Sequence, residues 1–383
     1  MKKFLALILA LVMALSLVAC GEQKQPDNQD PDNSGDNTET TYKVAMITDY
    51  GDITDQSFNQ TTYEACKAFA EANGVDFQYF KPAGDNTADR VAMIESAIDQ
   101  GYNVIVMPGY AFGAAIAETA PNFSDVKFIA LDVSAGDLGE GFVVPANLYC
   151  AVYQEELCGY MAGYAAVKLG YKNLGFLGGM AVPAVVRYGY GFVQGVDAAA
   201  ADMGLTDVKV NYIYGGQFFG DADITAVMDT WYQGGTEVVF ACGGGIYTSA
   251  VEAALKSNGY VIGVDVDQNY IGVNGVADGS FAYNPFITSA MKGLTEAVNT
   301  ALSDIEAGDW GDIAASNGNF GLEDGDYVGL PTDADSWNFE TFTTDEYEAL
   351  KEKIKSGEIT VDNNSDDATK PTVSEFTTVN YIQ

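Results

Sequence analysis

Two aspartates end matching apolar runs, Phe128-Ile129-Ala130-Leu131-Asp132-Val133 and Val261-Ile262-Gly263-Val264-Asp265-Val266. A carboxylate so placed accepts charge-assisted hydrogen bonds from hydroxyl groups. The carboxyl edge of a parallel sheet is also where open α/β folds bind ligands. Paired carboxylates can instead do acid–base work on a glycosidic bond, so a glycosidase or a secreted nucleoside hydrolase is a rival reading. The sequence has no histidine. That excludes Ser-His-Asp and Cys-His catalysis and any site that needs an imidazole ligand. No metal-binding cluster is evident, so neither a metal nor a cofactor is expected. The matching positions of Asp132 and Asp265 favour ligand clamps over catalysts, and no catalytic residue is expected.

The elements that must hold these aspartates alternate. Val44 to Ile47 reads as a strand and Asn59 to Ala72 as a helix; Phe77 to Phe80 is a strand and Ala88 to Gln100 a helix. Asn103 to Met107 and Lys127 to Leu131 continue the series. Short apolar runs bounded by Gly, Pro and Asp are typical of buried parallel strands. The pattern restarts with the strand Leu174 to Leu177 and the helix Ala184 to Met203, and closes at Val261 to Val264. Gln100 to Val106 also matches Gln233 to Val239, with one residue inserted in the second copy. The expected fold is α/β and periplasmic-binding-protein type I-like: two doubly wound, Rossmann-like lobes around a hinged cleft. Asp132 and Asp265 would then face one another across it. Lobe one is expected over 43–147 plus about 275–315, with a helix near Phe286 to Ile305. Lobe two is expected over 148–274 plus about 316–383.

Lys2 and Lys3 precede an apolar stretch, Phe4 to Val18, too short for a membrane-spanning helix. It ends in Leu17-Val18-Ala19-Cys20-Gly21, which resembles a bacterial lipobox. The expectation is a signal peptide over 1–19, a lipidated Cys20 and a flexible tether over 20–42. From Glu22 to Thr41 no large apolar side chain occurs, so that segment cannot offset the entropy of ordering it. The expected location is the extracytoplasmic face of the cell membrane. The formal net charge is −36, which repels nucleic acid and phosphate-rich ligands. Cys66, Cys150, Cys158 and Cys242 have no CxxC spacing and read as small buried apolar residues.

Three motifs add a resemblance. Asp49…Asp55-Gln56-Ser57-Phe58-Asn59-Gln60 is similar to the DxSFNQ signature of the basic membrane lipoprotein (PnrA-like) family. Gly175-Phe176-Leu177-Gly178-Gly179-Met180…Pro183…Gly191-Phe192…Gly195 resembles that family's GFxGGMxxP…GFxxG stretch, and Gly263-Val264-Asp265-Val266-Asp267-Gln268 its GVDxDQ. The resemblance implies a solute-binding protein that delivers nucleosides to an ABC transporter permease.

A purine nucleoside offers a flat base, vicinal ribose hydroxyls and no charge. Phe58 and Phe219 are candidates to stack on the two faces of the base. Asn59 and Asp49 suit its polar edge. Asp265 suits the ribose hydroxyls, with Asp132 its partner or a base contact. Gly244, within Gly243–Gly245, allows backbone N–H groups to approach the sugar. Lys292 resembles the family's ligand-contacting lysine. The expected partners are thus a purine nucleoside, a permease and, through the lipid, a membrane; nucleic acid is not one, and the protein is expected to be a monomer. A sugar-binding protein of the same fold is the near rival, although Trp231, Trp310 and Trp337 all lie outside the motifs. A sensor subunit that presents its ligand to a receptor also fits.

Overall fold

The structure, a computed structural model, describes residues 42–325 and 327–382. The expected signal peptide, Cys20 and all of the tether except Tyr42 lie outside the described residues. Among the described residues no helix is long and apolar enough to cross a membrane.

In chain order the strands are β1 (Val44–Ile47), β2 (Phe77–Phe80), β3 (Val104–Pro108), β4 (Lys127–Leu131), β5 (Leu148–Tyr153), β6 (Asn173–Gly178), β7 (Val208–Tyr214), β8 (Val238–Cys242), β9 (Tyr260–Asp265), β10 (Phe286–Lys292), β11 (Ser316–Phe320), β12 (Val328–Gly329) and β13 (Thr377–Tyr381). The α-helices are α1 (Phe58–Asn73), α2 (Thr87–Asp99), α3 (Gly113–Thr119), α4 (Glu155–Lys168), α5 (Pro183–Met203), α6 (Ala222–Gln233), α7 (Tyr247–Ser257), α8 (Asn269–Asp278), α9 (Leu294–Ala307) and α10 (Thr344–Lys355).

The strands form two sheets, β11-β5-β4-β3-β1-β2 and β12-β10-β9-β8-β6-β7-β13. Every pairing is parallel except β10 with β12. Five strands of one sheet match five of the other in order, which is the architecture expected from the repeat. β1, β3 and β8 are buried along their whole length, as their unbroken apolar sequences require when helices cover both faces.

Three assignments differ from the sequence expectation. Leu148–Tyr153, expected to open lobe two, pairs with β4 in the first sheet. β4 and β5 are joined by a 3-10 turn, Ala135–Leu138, and loop rather than by an α-helix, so the strand–helix rhythm breaks there. Phe286–Lys292, expected as helix, is instead a strand pairing with β9, and the helix starts only at Leu294. Ser316–Phe320, expected in lobe two, likewise pairs with β5 in the first sheet.

The chain crosses between the sheets three times: after β5, after β10, and between β11 and β12. The crossings lie side by side. Gln154 N–H donates to the Phe320 carbonyl at 2.8 Å, Gly293 N–H to the Tyr327 carbonyl at 2.7 Å, and the Phe320 and Tyr327 rings stack at 4.2 Å. Behind them α4 and α5 pack with almost no gap. A Cβ on Gly191 would come within 1.9 Å of the Glu156 carbonyl oxygen, and one on Gly195 equally close to that of Tyr160. The glycines of the GFxxG motif are therefore packing residues.

Candidate functional site

The first motif builds one wall of a cleft between the sheets. Asp55 accepts from the backbone N–H groups of Ser57, Asn59 and Gln60 at 2.9–3.0 Å, fixing the start of α1. This sets Phe58 and Asn59 at the cleft. The same turn docks on the third motif. Ser57 Oγ donates to Asp265 Oδ2 at 2.6 Å, and Gln268 Nε2 donates to the Gln56 carbonyl at 3.0 Å. Gln268 is sealed in place, its Oε1 accepting from Val264 N–H. Asp267 faces away, holding Asn269 N–H at the start of α8. Within GVDxDQ, then, Asp265 is the polar side chain that reaches the cleft wall, beside Val264.

At the centre sits Lys292, whose side chain is 2% exposed. Its Nζ lies 2.6 Å from Asp132 Oδ2 and 3.6 Å from both Glu155 Oε1 and Asp265 Oδ1. It also stands 4.6 Å from the centre of the Phe58 ring, 5.4 Å from that of Tyr153 and 5.7 Å from that of Tyr188. Burial opposes its charge, yet Asp132, Asp265 and Glu155 together hold the ammonium above its ordinary range. Arg187 Nε donates to Glu155 Oε2 at 2.7 Å and neutralises the third carboxylate from behind. Burial pushes the Asp132 carboxyl up to about 6 against the pull of Lys292. Asp132 Oδ1 is buried with no hydrogen bond among the described residues.

A second polar cluster lies on the lobe-one side. Asp49 Oδ1 accepts from the N–H groups of Tyr50 and Gly51 at 2.7 and 2.9 Å. Burial raises the Asp49 carboxyl above its ordinary range. Asn59 Nδ2 donates to Asp55 at 3.1 Å, which leaves its Oδ1 a buried acceptor without a partner among the described residues. The fit is close: a Cβ on Gly109, at φ 126°, would stand 2.8 Å from Asp49 Oδ2, and one on Gly51 would stand 2.4 Å from Asn59 Nδ2. Glycine at both positions lets the backbone wrap these side chains.

The facing wall comes from lobe two. Phe218 fills the space over Gly179 and Gly243, where a Cβ on either glycine would strike its ring. Tyr50 stacks on Phe218 at 6.2 Å and donates to Met180 Sδ at 3.7 Å, joining the two lobes. Phe219 is 55% exposed at the cleft and is held by backbone pairing with Gly245. Gly244 takes a left-handed conformation, φ 49°.

These walls enclose a cavity of about 710 Å³, within the size range of small-molecule sites. Asp49, Phe58, Asn59, Asp132, Phe219, Gly244, Asp265 and Lys292 all line it. Sequence reasoning missed Tyr50, Arg90, Met180, Tyr188 and Phe218 of the lining, and Ser57, Glu155 and Arg187 around it. One signal was available: the sequence contains only two arginines. Arg90 lines the cavity and Arg187 backs its lysine. The four cysteines 66, 150, 158 and 242 are free and buried.

The geometry is that of a buried, polar-ended, aromatic-walled site between two lobes. Residues 42–365 match the family described as "Bmp: ABC transporter substrate-binding protein PnrA-like". The chain belongs to the Bmp family. Bmp proteins are solute-binding proteins of ABC transporters, and the family is non-catalytic. Among curated Bmp relatives, the ABC transporter nucleoside-binding protein BmpA of Lactococcus lactis is 28% identical over 318 residues, covering 80% of this chain and 84% of that protein. Basic membrane protein A of Borreliella burgdorferi is 28% identical over 334 residues, covering 85% and 88%. Among solved structures, an ABC transporter solute-binding protein of Aeropyrum pernix superposes with a TM-score of 0.72 at 21% identity, covering 85% of this chain and 95% of that one. That likeness bears on the fold alone, the type I periplasmic-binding-protein architecture.

Proposed function

We propose that this Bmp protein captures a purine nucleoside outside the cytoplasm and hands it unchanged to the permease of an ABC transporter. One observation carries the reading. One cavity is lined by the aromatic rings of Phe58 and Phe219, the hydroxyl acceptors Asp132 and Asp265, and the polar groups of Asp49 and Asn59. A nucleoside presents a sugar, a flat ring and a polar edge, one for each of these sets. Phe58 and Phe219 stack on the base. Asp132 and Asp265 accept from the ribose hydroxyls, with Lys292 Nζ set between them. Backbone N–H groups about Gly244 approach the sugar. A lipid on Cys20 anchors the protein, which works as a monomer.

Three further points support the reading. The L. lactis relative is by name a nucleoside-binding protein. Among the described residues no tryptophan lines the cavity, and tryptophan platforms are what a sugar site would favour. Asp49, Asp52, Asp55, Asp132 and Asp265 line it against Arg90 and Lys292, an excess of negative charge that disfavours phosphate.

Calorimetry with guanosine, inosine, adenosine, their 5′-monophosphates, glucose and galactose tests this. Nucleosides should bind, and each monophosphate should bind roughly tenfold weaker or worse. Binding of a hexose and of no nucleoside would overturn it in favour of a sugar carrier. Release of free base would make the protein a hydrolase.

A further inference from the structure

Arg90 lies near the start of α2, with its side chain 4% exposed. Among the described residues its acceptor is Asp85, which is itself 54% exposed. Its Nε has no hydrogen-bond partner among the described residues. The guanidinium carbon stands 6.0 Å from the centre of the Tyr50 ring, next in sequence to Asp49, and Arg90 lines the cavity with Asp49, Asn59 and Gly109. A guanidinium has five N–H donors in a planar fork and accepts nothing. Burying it at a cavity wall with a donor unpaired is unfavourable unless an acceptor arrives there.

Its neighbours offer the opposite polarity. Asp49 Oδ1 is occupied by two backbone N–H groups, and Oδ2 takes no hydrogen bond among the described residues. Asn59 is oriented without ambiguity. Its Nδ2 donates to Asp55, a carboxylate already accepting three backbone N–H groups, so its Oδ1 is the group left over. This end of the cavity therefore presents two acceptors and one multiple donor.

We infer that Arg90 makes the site selective for 6-oxopurine bases, donating to the C6 carbonyl while Asp49 Oδ2 and Asn59 Oδ1 accept from N1–H and the 2-amino group. The inference rests on the nucleoside reading above. Guanine meets every group, and hypoxanthine all but one. Adenine in the same pose sets a 6-amino donor against Arg90 and an N1 lone pair against a carboxylate. Sites built on such hydrogen bonds discriminate strongly, because the mismatched groups stay unpaired. Arginine likewise reads the carbonyl of guanine, not the amino group of adenine, in DNA grooves.

The test is calorimetry on the full chain with guanosine, inosine, adenosine and 2,6-diaminopurine riboside. The last keeps the 2-amino group of guanosine and changes only C6 and N1. Guanosine should bind about tenfold tighter than either amino-purine, or more, and Arg90→Gln should shrink that ratio to what Asp49 alone discriminates at N1. A thermal melt without ligand verifies that the variant is folded; if it is not, the guanosine/diaminopurine comparison on the unmodified protein decides alone. Equal affinity for those two ligands overturns the role of Arg90 and leaves the nucleoside reading standing. An unchanged ratio in a folded Arg90→Gln protein does the same. Binding of no purine nucleoside at all overturns both.

Discussion

Asp132 and Asp265 occupy the same place in two copies of one unit, one directly after β4 and the other at the end of β9. Both have left-handed backbones, φ 57° and 67°, which residues other than glycine rarely adopt. Their carboxylates converge on Lys292 Nζ, at 2.6 and 3.6 Å, from opposite sheets. Such strain persists where surrounding contacts over-determine it, and it gathers at functional sites. Here it turns two strand ends inward on one cation.

Lys292 should consequently be a stability residue as well as a site residue. Lys292→Met leaves Asp132, Glu155 and Asp265 buried together without their shared charge partner. Breaking a buried ion pair from one side costs about 3–5 kcal/mol. Denaturant unfolding of the ligand-free variant should show a loss of that order. A loss under about 1 kcal/mol would mean the carboxylates are better hydrated than their burial implies.

Phe58 should matter for ligand rather than for fold. It is half-buried, starts α1 and presents its ring to the cavity. Phe58→Ala should weaken guanosine binding by about 1–3 kcal/mol, or ten- to hundredfold. Asp265→Ala should weaken it comparably, through loss of a charged acceptor. Calorimetry on both variants checks this; unaltered guanosine affinity in Phe58→Ala would remove stacking from the account.

Much of this was legible because buried parallel strands are written as unbroken apolar runs. Gln100 to Val106 and Gln233 to Val239 showed the repeat, and the repeat predicted that Asp132 and Asp265 converge. β5 and β10 were not legible. The loop before Leu148 carries no helical period, and Thr288-Ser289 sits polar but buried in a strand, holding Gln268 through Ser289 Oγ. Arg90 was hidden for a different reason. Its helix, Thr87–Asp99, reads as an ordinary amphipathic surface helix, and only the fold turns its first residues toward Asp49.

The glycine seam between α4 and α5 gives a prediction independent of any ligand. Gly195→Ala places a methyl group 1.9 Å from the Tyr160 carbonyl oxygen, and the backbone contact cannot yield without separating the helices. Overpacking of this kind costs about 1–3 kcal/mol or more. Gly204→Ala is the contrast: a Cβ there meets nothing within 4 Å, and only its left-handed φ of 65° resists the change. Melting temperatures should fall for both, and further for Gly195→Ala; the reverse order would show that the helix pair tolerates separation.

Acidification should move stability and affinity in opposite directions. Burial pushes the Glu156 carboxyl up to about 7 and that of Asp132 up to about 6. Raised carboxyl values mean that the folded state binds protons more tightly than the unfolded chain. The stability they contribute is complete below the unfolded values near 4 and is lost as pH rises through 6 to 7. The ligand-free protein should therefore resist denaturant better at pH 5 than at pH 8, by roughly 2–4 kcal/mol. Glu156→Gln should flatten most of that slope. Affinity runs the other way. Asp132 faces Lys292, Glu155 and Asp265, and on the proposed nucleoside reading its Oδ1 accepts from a ribose hydroxyl best when ionised. Guanosine binding should weaken about tenfold between pH 7 and pH 5, and Asp132→Asn should bind weakly with little dependence on pH. Calorimetry across that range reads the slope directly. A flat profile in the unmodified protein would show that Asp132 does not act as an ionised acceptor for the ligand.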